Sequence, residues 1–434
     1  MGKSTRATTV SAPRAAARLG WLDALRGFAA LAVVFRHTGA VLVPALYQAT
    51  SGICDAGTFG VYLFFLVSGY IVPASLERKG DLRAFWIGRG FRIYPVFLTV
   101  LALGLLVPQR LGVVSGGWFS HPLQTAAGNS VLLSELLGTG NGLQVSWTLS
   151  YEMVFYFLVS ALFALGRHRR SAPISLAFAV LAVVAGAAVP TRMLSDGPAD
   201  TRTVLAVVLL VLAAALACVM AGGRAARLGA LTLGLTGLVL VSLNSGITGF
   251  DSMMILATMF AGTVIYRAEH GQIRRWTAVL CCALVLTAGL VSGAMYDGRF
   301  YTTTWTGVSG YCGAIAGAWL LFGFGLLMRR RRFPRFLSWL GSISYAVYLV
   351  HLPLYICMEW AWNREHLRMA GPLHELAHGT LYAALVLATA YAAHRLVELP
   401  GQRLGRRVTA WADARTGPRR AGVAAPAAAL PESG

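Results

Sequence analysis

Charge is what this chain lacks most. Asp, Glu, Lys and Arg together make up 12% of its 434 residues, against about 25% in an ordinary soluble domain. With 56% hydrophobic residues and a mean hydropathy of +0.63, that poverty excludes a water-soluble globule. Acidic residues are the scarcer sign, 17 against 37 basic ones. Cysteine is also sparse: of Cys54, Cys218, Cys281, Cys282, Cys312 and Cys357, five sit in apolar runs. None shows the spacing of a disulfide framework or a zinc site, so they read as small apolar packers. No His, Cys, Asp and Glu pattern suggests a metal site. Segments of alternating polarity, the mark of a membrane β-barrel, do not dominate. No apolar core precedes a cleavage site in "MGKSTRATTVSAPRAAAR", so the first apolar run is expected to be retained.

What is present is a series of runs long enough to cross a bilayer. They fall near 24–46, 58–77, 92–113, 147–165, 174–190, 203–221, 227–244, 250–266, 276–296, 305–328, 337–359 and 376–396. Lipid cannot satisfy free backbone amides, so these runs are expected to be helices. The fold class is therefore all-α: a polytopic membrane bundle of about 10–12 spans. With the N-terminus placed inside, about 29 of the 37 basic side chains fall on one side, which the positive-inside rule makes cytoplasmic. Both termini are then cytoplasmic and the location is the inner (plasma) membrane. The net charge of +20 is an orientation signal and a contact for anionic lipid, with no need for nucleic acid. Three parts are expected: a basic cytoplasmic segment 1–20, a membrane domain 21–400, and a basic, Ala/Pro-rich, disordered cytoplasmic tail 401–434. The longest outer connector, 114–146, is expected to carry a short interfacial helix.

Against this background the polar groups inside the spans stand out. "DALRGFAALAVVFRH", residues 23–37, holds two arginines, each costing roughly 2.5–3.5 kcal/mol at a bilayer centre on insertion scales. Arg26 and His37 are eleven residues apart, which returns to within roughly 20° of one helical face after a rise of about 16 Å. Arg36 is expected to point elsewhere. "SWTLSYEMVFY" places Trp147 and Glu152 at the start of a span entering from outside, and "GSISYAVYLVH" puts Gly341, Ser344, Tyr348 and His351 on one face. Counting the rise from the expected span ends puts His37, His351 and Glu152 at roughly 20, 21 and 22 Å from the inner side. Three costly groups at one level suggest a shared polar cavity.

With these segments in order, the chain resembles the acyltransferase-3 family of integral membrane O-acyltransferases over residues 20–400. The resemblance rests on Arg26 and His37 in the first span, "GVYLFFLVSGYIV", an arginine-rich turn "RGFRIYP", "SWTLSYEMVFY" and "GSISYAVYLVH". Each motif is weak alone; together and in order they are specific. The resemblance implies transfer of an acyl group, often acetyl, from cytoplasmic acyl-CoA to a hydroxyl on a carbohydrate or a secondary metabolite such as a macrolide. It implies His37 and Arg26 as the catalytic pair and Arg89 and Arg92 as donor-handling residues. The twelve runs exceed the family's usual ten core spans. Relatives with an added hydrolase-like domain serve wall or lipopolysaccharide acceptors, and no such domain is read here.

The chemistry then expected is general-base catalysis by a neutral His37, with Arg26 on donor phosphate or the developing oxyanion. Glu152 and Trp147 would support the histidine or the acceptor. Ser344, Tyr345 and His351 would line the acceptor side. Acyl-CoA is a co-substrate, no cofactor is expected to be tightly bound, and the partners are acyl-CoA, a hydroxyl-bearing acceptor and lipid. The rival is a secondary transporter of a small polar solute. It is disfavoured because "ERKGDLRAFWIGRG" has no counterpart at the corresponding connector, "RAEHGQIRRW", where internal repeats predict one. A purely structural scaffold leaves the intramembrane charges unexplained.

Overall fold

The computed structural model describes residues 20–297, 307–364 and 371–416. The twelve apolar runs become helices α1 (Gly20–Leu42), α2 (Ala56–Lys79), α3 (Leu82–Leu105), α4 (Trp147–Ala164), α5 (Ser171–Ala185), α6 (Pro198–Ala221), α7 (Gly223–Leu243), α8 (Gly249–Glu269), α9 (Arg275–Ser292), α10 (Gly307–Leu327), α11 (Arg335–Arg364) and α12 (Pro372–Ala393). All but the short α5 are long and apolar enough to cross a membrane. A further helix, α13 (Leu399–Thr416), continues from α12 through a π-helical turn at His394–Glu398. Among the described residues there is no β-strand, only the isolated bridges Val114–Leu143 and Thr191–Ser245.

The bundle is apolar inside and out, as lipid requires. Val184, Leu210, Leu320 and Leu327 are exposed on its perimeter, while α8 is buried almost all round. Helix α1 runs between α2 and α11, α8 packs on both α2 and α5, and α4 lies against α7. Small residues set these crossings, because helix association in lipid relies on close packing rather than on a hydrophobic force. A Cβ on Gly341 would lie 1.9 Å from the carbonyl oxygen of Asp23, and one on Gly69 would lie 1.9 Å from that of Met259. Asp55 caps α2, accepting from the Thr58 amide at 2.7 Å, and Asp81 caps α3, accepting from the Arg83 amide at 2.7 Å. Between α2 and α3 the chain turns at Gly80, whose φ of +64° suits glycine.

Three expectations need correction. The third span begins at Leu82 instead of residue 92, so Arg89 and Arg92 lie within a helix and not in a turn. Residues 401–416 are helical rather than a disordered tail; segment 1–19 and the remainder of the tail lie outside the described residues. The outer connector holds more than one short helix. It forms the short helices Gly117–Ser120, Pro122–Ser130 and Ser134–Leu137, with Leu133, Leu136 and Leu137 fully buried. Asn129 knits it together, donating to the Thr125 carbonyl at 2.8 Å and accepting from the Gly142 amide at 2.7 Å.

Candidate active site

Helices α1 and α11 start from the same basic end of the bundle and carry histidines at nearly equal distance along their lengths, His37 and His351. The two rings meet: His351 Nε2 lies 3.2 Å from His37 Nδ1. Each Nδ1 also faces a backbone carbonyl of its own helix, Val33 at 2.9 Å and Val347 at 3.2 Å. A carbonyl only accepts, so both Nδ1 atoms must carry their protons. His351 Nε2 is then bare and shares the His37 Nδ1–H with Val33. His37 Nε2 is left with its lone pair, the form a general base needs.

His37 lines a cavity of about 450 Å³. Arg36 lines the same cavity, contrary to expectation, and pairs through Nε with Asp55 at 3.0 Å. The cavity wall also holds Glu135, Asn141, Trp147 and Asp251. Asp251 accepts from Thr248 at 2.7 Å and from the Tyr311 hydroxyl at 3.0 Å, and Tyr62 adds a hydroxyl 3.0 Å from Tyr311. The result is a dense set of oriented acceptors and hydroxyls with an indole on one side. Such a surface suits a molecule rich in hydroxyl groups.

Arg26 does not share this cavity. It lines a smaller one, about 90 Å³, with Arg89, Arg92, Glu152, Tyr156 and Tyr345. The predicted stripe on α1 holds, but its two ends open into different spaces. Val61 and Tyr348 line both cavities and form the partition between them. Tyr348 is held in place by donating to the Val145 carbonyl at 2.7 Å, with Thr148 Oγ1 2.8 Å away. A third cavity, about 690 Å³, opens at the basic end, and Arg89 and Arg92 line it as well as the second. The three spaces thus form a series from the basic end to His37.

Glu152 belongs to the arginine cavity, not beside His37 as the common depth implied, and accepts from the Tyr156 hydroxyl. Tyr345 faces the same space and donates to the Ile93 carbonyl at 2.9 Å, so it does not line the acceptor side. Ser344 lines none of the three cavities; it is fully buried and its hydroxyl donates to the Gly341 carbonyl of its own helix at 2.8 Å. Arg89 is buried between Phe85 and Tyr156, 5.2 and 5.1 Å from their ring centres. Among the described residues no carboxylate forms an ion pair with Arg26, Arg89 or Arg92. Three arginines against the single carboxylate of Glu152 leave this cavity with an excess of positive charge. Asp55 and Asp251 escaped the sequence reading of the site, which sets Tyr348 on the His351 face without giving it a role there. Tyr348 had a signal, since it lies on the same helical face as His351; the two aspartates come from other elements and had none.

The family profile described as "Acyltransferase domain" matches residues 19–196 and 203–395. Nodulation protein 10 of Rhizobium leguminosarum bv. viciae is 29% identical over 186 residues, 37% of this chain and 48% of that protein. Acyltransferase MdmB of Streptomyces mycarofaciens is 32% identical over 161 residues, 33% of this chain and 39% of that protein. The aligned region therefore spans less than half the length of either relative. No solved structure matches the chain.

Proposed function

Since this chain belongs to the acyltransferase-3 family, whose profile runs across nearly all of its membrane region, we propose that it is an acyl-CoA-dependent O-acyltransferase. It moves an acetyl or short acyl group to a hydroxyl of a carbohydrate or a secondary metabolite such as a macrolide. The basic end of the bundle faces the cytoplasm of a cell bounded by the inner membrane in which the protein sits. The observation that carries this reading is the series of cavities, with a free imidazole nitrogen at one end and arginines along the way.

The phosphates of the donor remain with the arginines while its flexible arm carries the thioester past Tyr348 to His37. The acceptor occupies the larger cavity, its hydroxyl next to His37 Nε2. As the hydroxyl oxygen attacks the carbonyl carbon, its proton passes to Nε2 and the carbon–sulfur bond breaks. The ester forms, and the histidine returns the proton to the departing thiolate. Holding the His37 Nδ1–H between two acceptors steadies the imidazolium formed on the way. Arg26 stands on the donor side, placed to hold phosphate or the polar arm rather than the acceptor.

Purified protein incubated with labelled acyl-CoA and candidate acceptors releases thiol only when a hydroxylated acceptor is present. Correctly inserted His37→Ala lowers that rate by at least about 100-fold, the usual scale of a general base. Near-normal transfer by that variant would remove His37 from the mechanism. Uptake of an unchanged solute, without thiol release, would replace the enzyme with the transporter.

A further inference from the structure

The cavity at the basic end has a wall that the family profile does not reach. Matching stops at residue 395, yet Gln402, Arg406, Thr409 and Asp413 of α13 line this space opposite Arg78 and Arg92. Helix α13 is seated firmly on α3. A Cβ on Gly401 would lie 2.7 Å from Pro95 Cγ, and one on Gly405 would lie 2.6 Å from Phe91 Cβ. Asp413 accepts from Arg83 Nη2 at 2.6 Å, and Glu398 accepts from Gln402 at 3.0 Å and from His394 at 2.8 Å. The wall is built rather than loosely laid.

Its charge is one-sided. Both carboxylates of the lining are already engaged, Asp81 on the α3 amides and Asp413 on Arg83. Among the described residues Arg78, Arg92 and Arg406 have no carboxylate partner. A concave space of about 690 Å³ with several unneutralised cations, a threonine hydroxyl and a glutamine amide is suited to a ligand bearing several phosphates.

We infer that α13 is part of the donor site, with Arg406 and Thr409 gripping the phosphate esters at the nucleotide end of acyl-CoA. This rests on the donor reading above and extends it to a segment outside the matched domain. The same chemistry would also hold the phosphate of an anionic lipid headgroup, so the assay separates the two sources.

Full-length protein is reconstituted in zwitterionic phosphatidylcholine vesicles and assayed with acyl-CoA and with the corresponding acyl-pantetheine, which lacks the nucleotide. Arg406→Ala raises KM for acyl-CoA about tenfold, with kcat within about twofold, and shifts KM for acyl-pantetheine by less than about twofold. Arg403→Ala, an exposed residue of the same helix outside the cavity lining, moves neither constant. Equal effects of Arg406→Ala on both donors, or none on either, would overturn the assignment. An effect on acyl-CoA that appears only after anionic lipid is added would assign Arg406 to the membrane surface and also overturn it. Wild-type protein that uses both donors with the same KM defeats the inference while leaving the acyltransferase reading intact. Wild-type protein that cleaves neither defeats both.

Discussion

His37 Nδ1 has one proton and two acceptors, the Val33 carbonyl and His351 Nε2. The carbonyl alone would choose the tautomer. What His351 adds is a second acceptor, 3.2 Å away, that restrains the ring and disperses charge once Nε2 is protonated. His351→Leu is therefore expected to lower kcat about 10- to 100-fold with little change in KM for either substrate. His351→Gln, whose amide oxygen can accept the same proton, restores much of the rate. Equal losses in both variants would mean that His351 only fills space. Tyr348 invites a different change. It stands between cavities of about 90 and 450 Å³, so Tyr348→Ala is expected to merge them where the proposed acyl route crosses. The expected outcome is a shift in kcat/KM from acetyl toward longer acyl donors, read from a series of acyl-CoA lengths.

At the scale of helices, function depends on backbones brought close enough to align the cavities. Gly341 meets the backbone of α1 at Asp23, three residues from Arg26 and ten from His351. A side chain there would wedge apart the two helices that carry the histidine pair. Gly341→Val is expected to lower the melting temperature in detergent and to lose transfer activity, with overpacking costs of about 1–3 kcal/mol. An unchanged melting curve with full activity would refute the role of this crossing. The number of helices and the shared face of α1 were legible because hydropathy and helical period report on lipid and on neighbouring turns. The start of α3 was not. Its arginines face an internal cavity, and hydropathy treats any charge as a mark of solvent. Glu152 was misplaced for a related reason. Trp147, the first residue of α4, already lines the His37 cavity, so Glu152, about one and a half turns farther along, faces the arginine cavity. For α13 a trace was present in "GQRLG", where two glycines four residues apart offer a flat contact strip, but basic composition masked it.

At the scale of the whole molecule, the basic excess and the order of cavities point in one direction. The space rich in arginine opens at the end where most connectors are basic, and His37 lies beyond it toward the opposite end. A charged donor cannot cross lipid, so its approach is confined to one face, whereas the cavity proposed for the acceptor is lined by α1, α2, α4, α8, α10, α11 and the connector. On the proposed donor and acceptor assignment, this asymmetry would make the reaction vectorial. Sealed vesicles with the basic end outward should consume external acyl-CoA, while vesicles of opposite orientation should do so only after permeabilisation. Because Tyr348 lies between the cavities proposed for the two substrates, a membrane-impermeant acceptor should be acylated best when supplied on the side opposite the donor. Measuring product against acceptor placement in oriented vesicles checks this directly. Equal rates with donor and acceptor on one face would require a second route to His37, and the partition at Tyr348 would then lose its role.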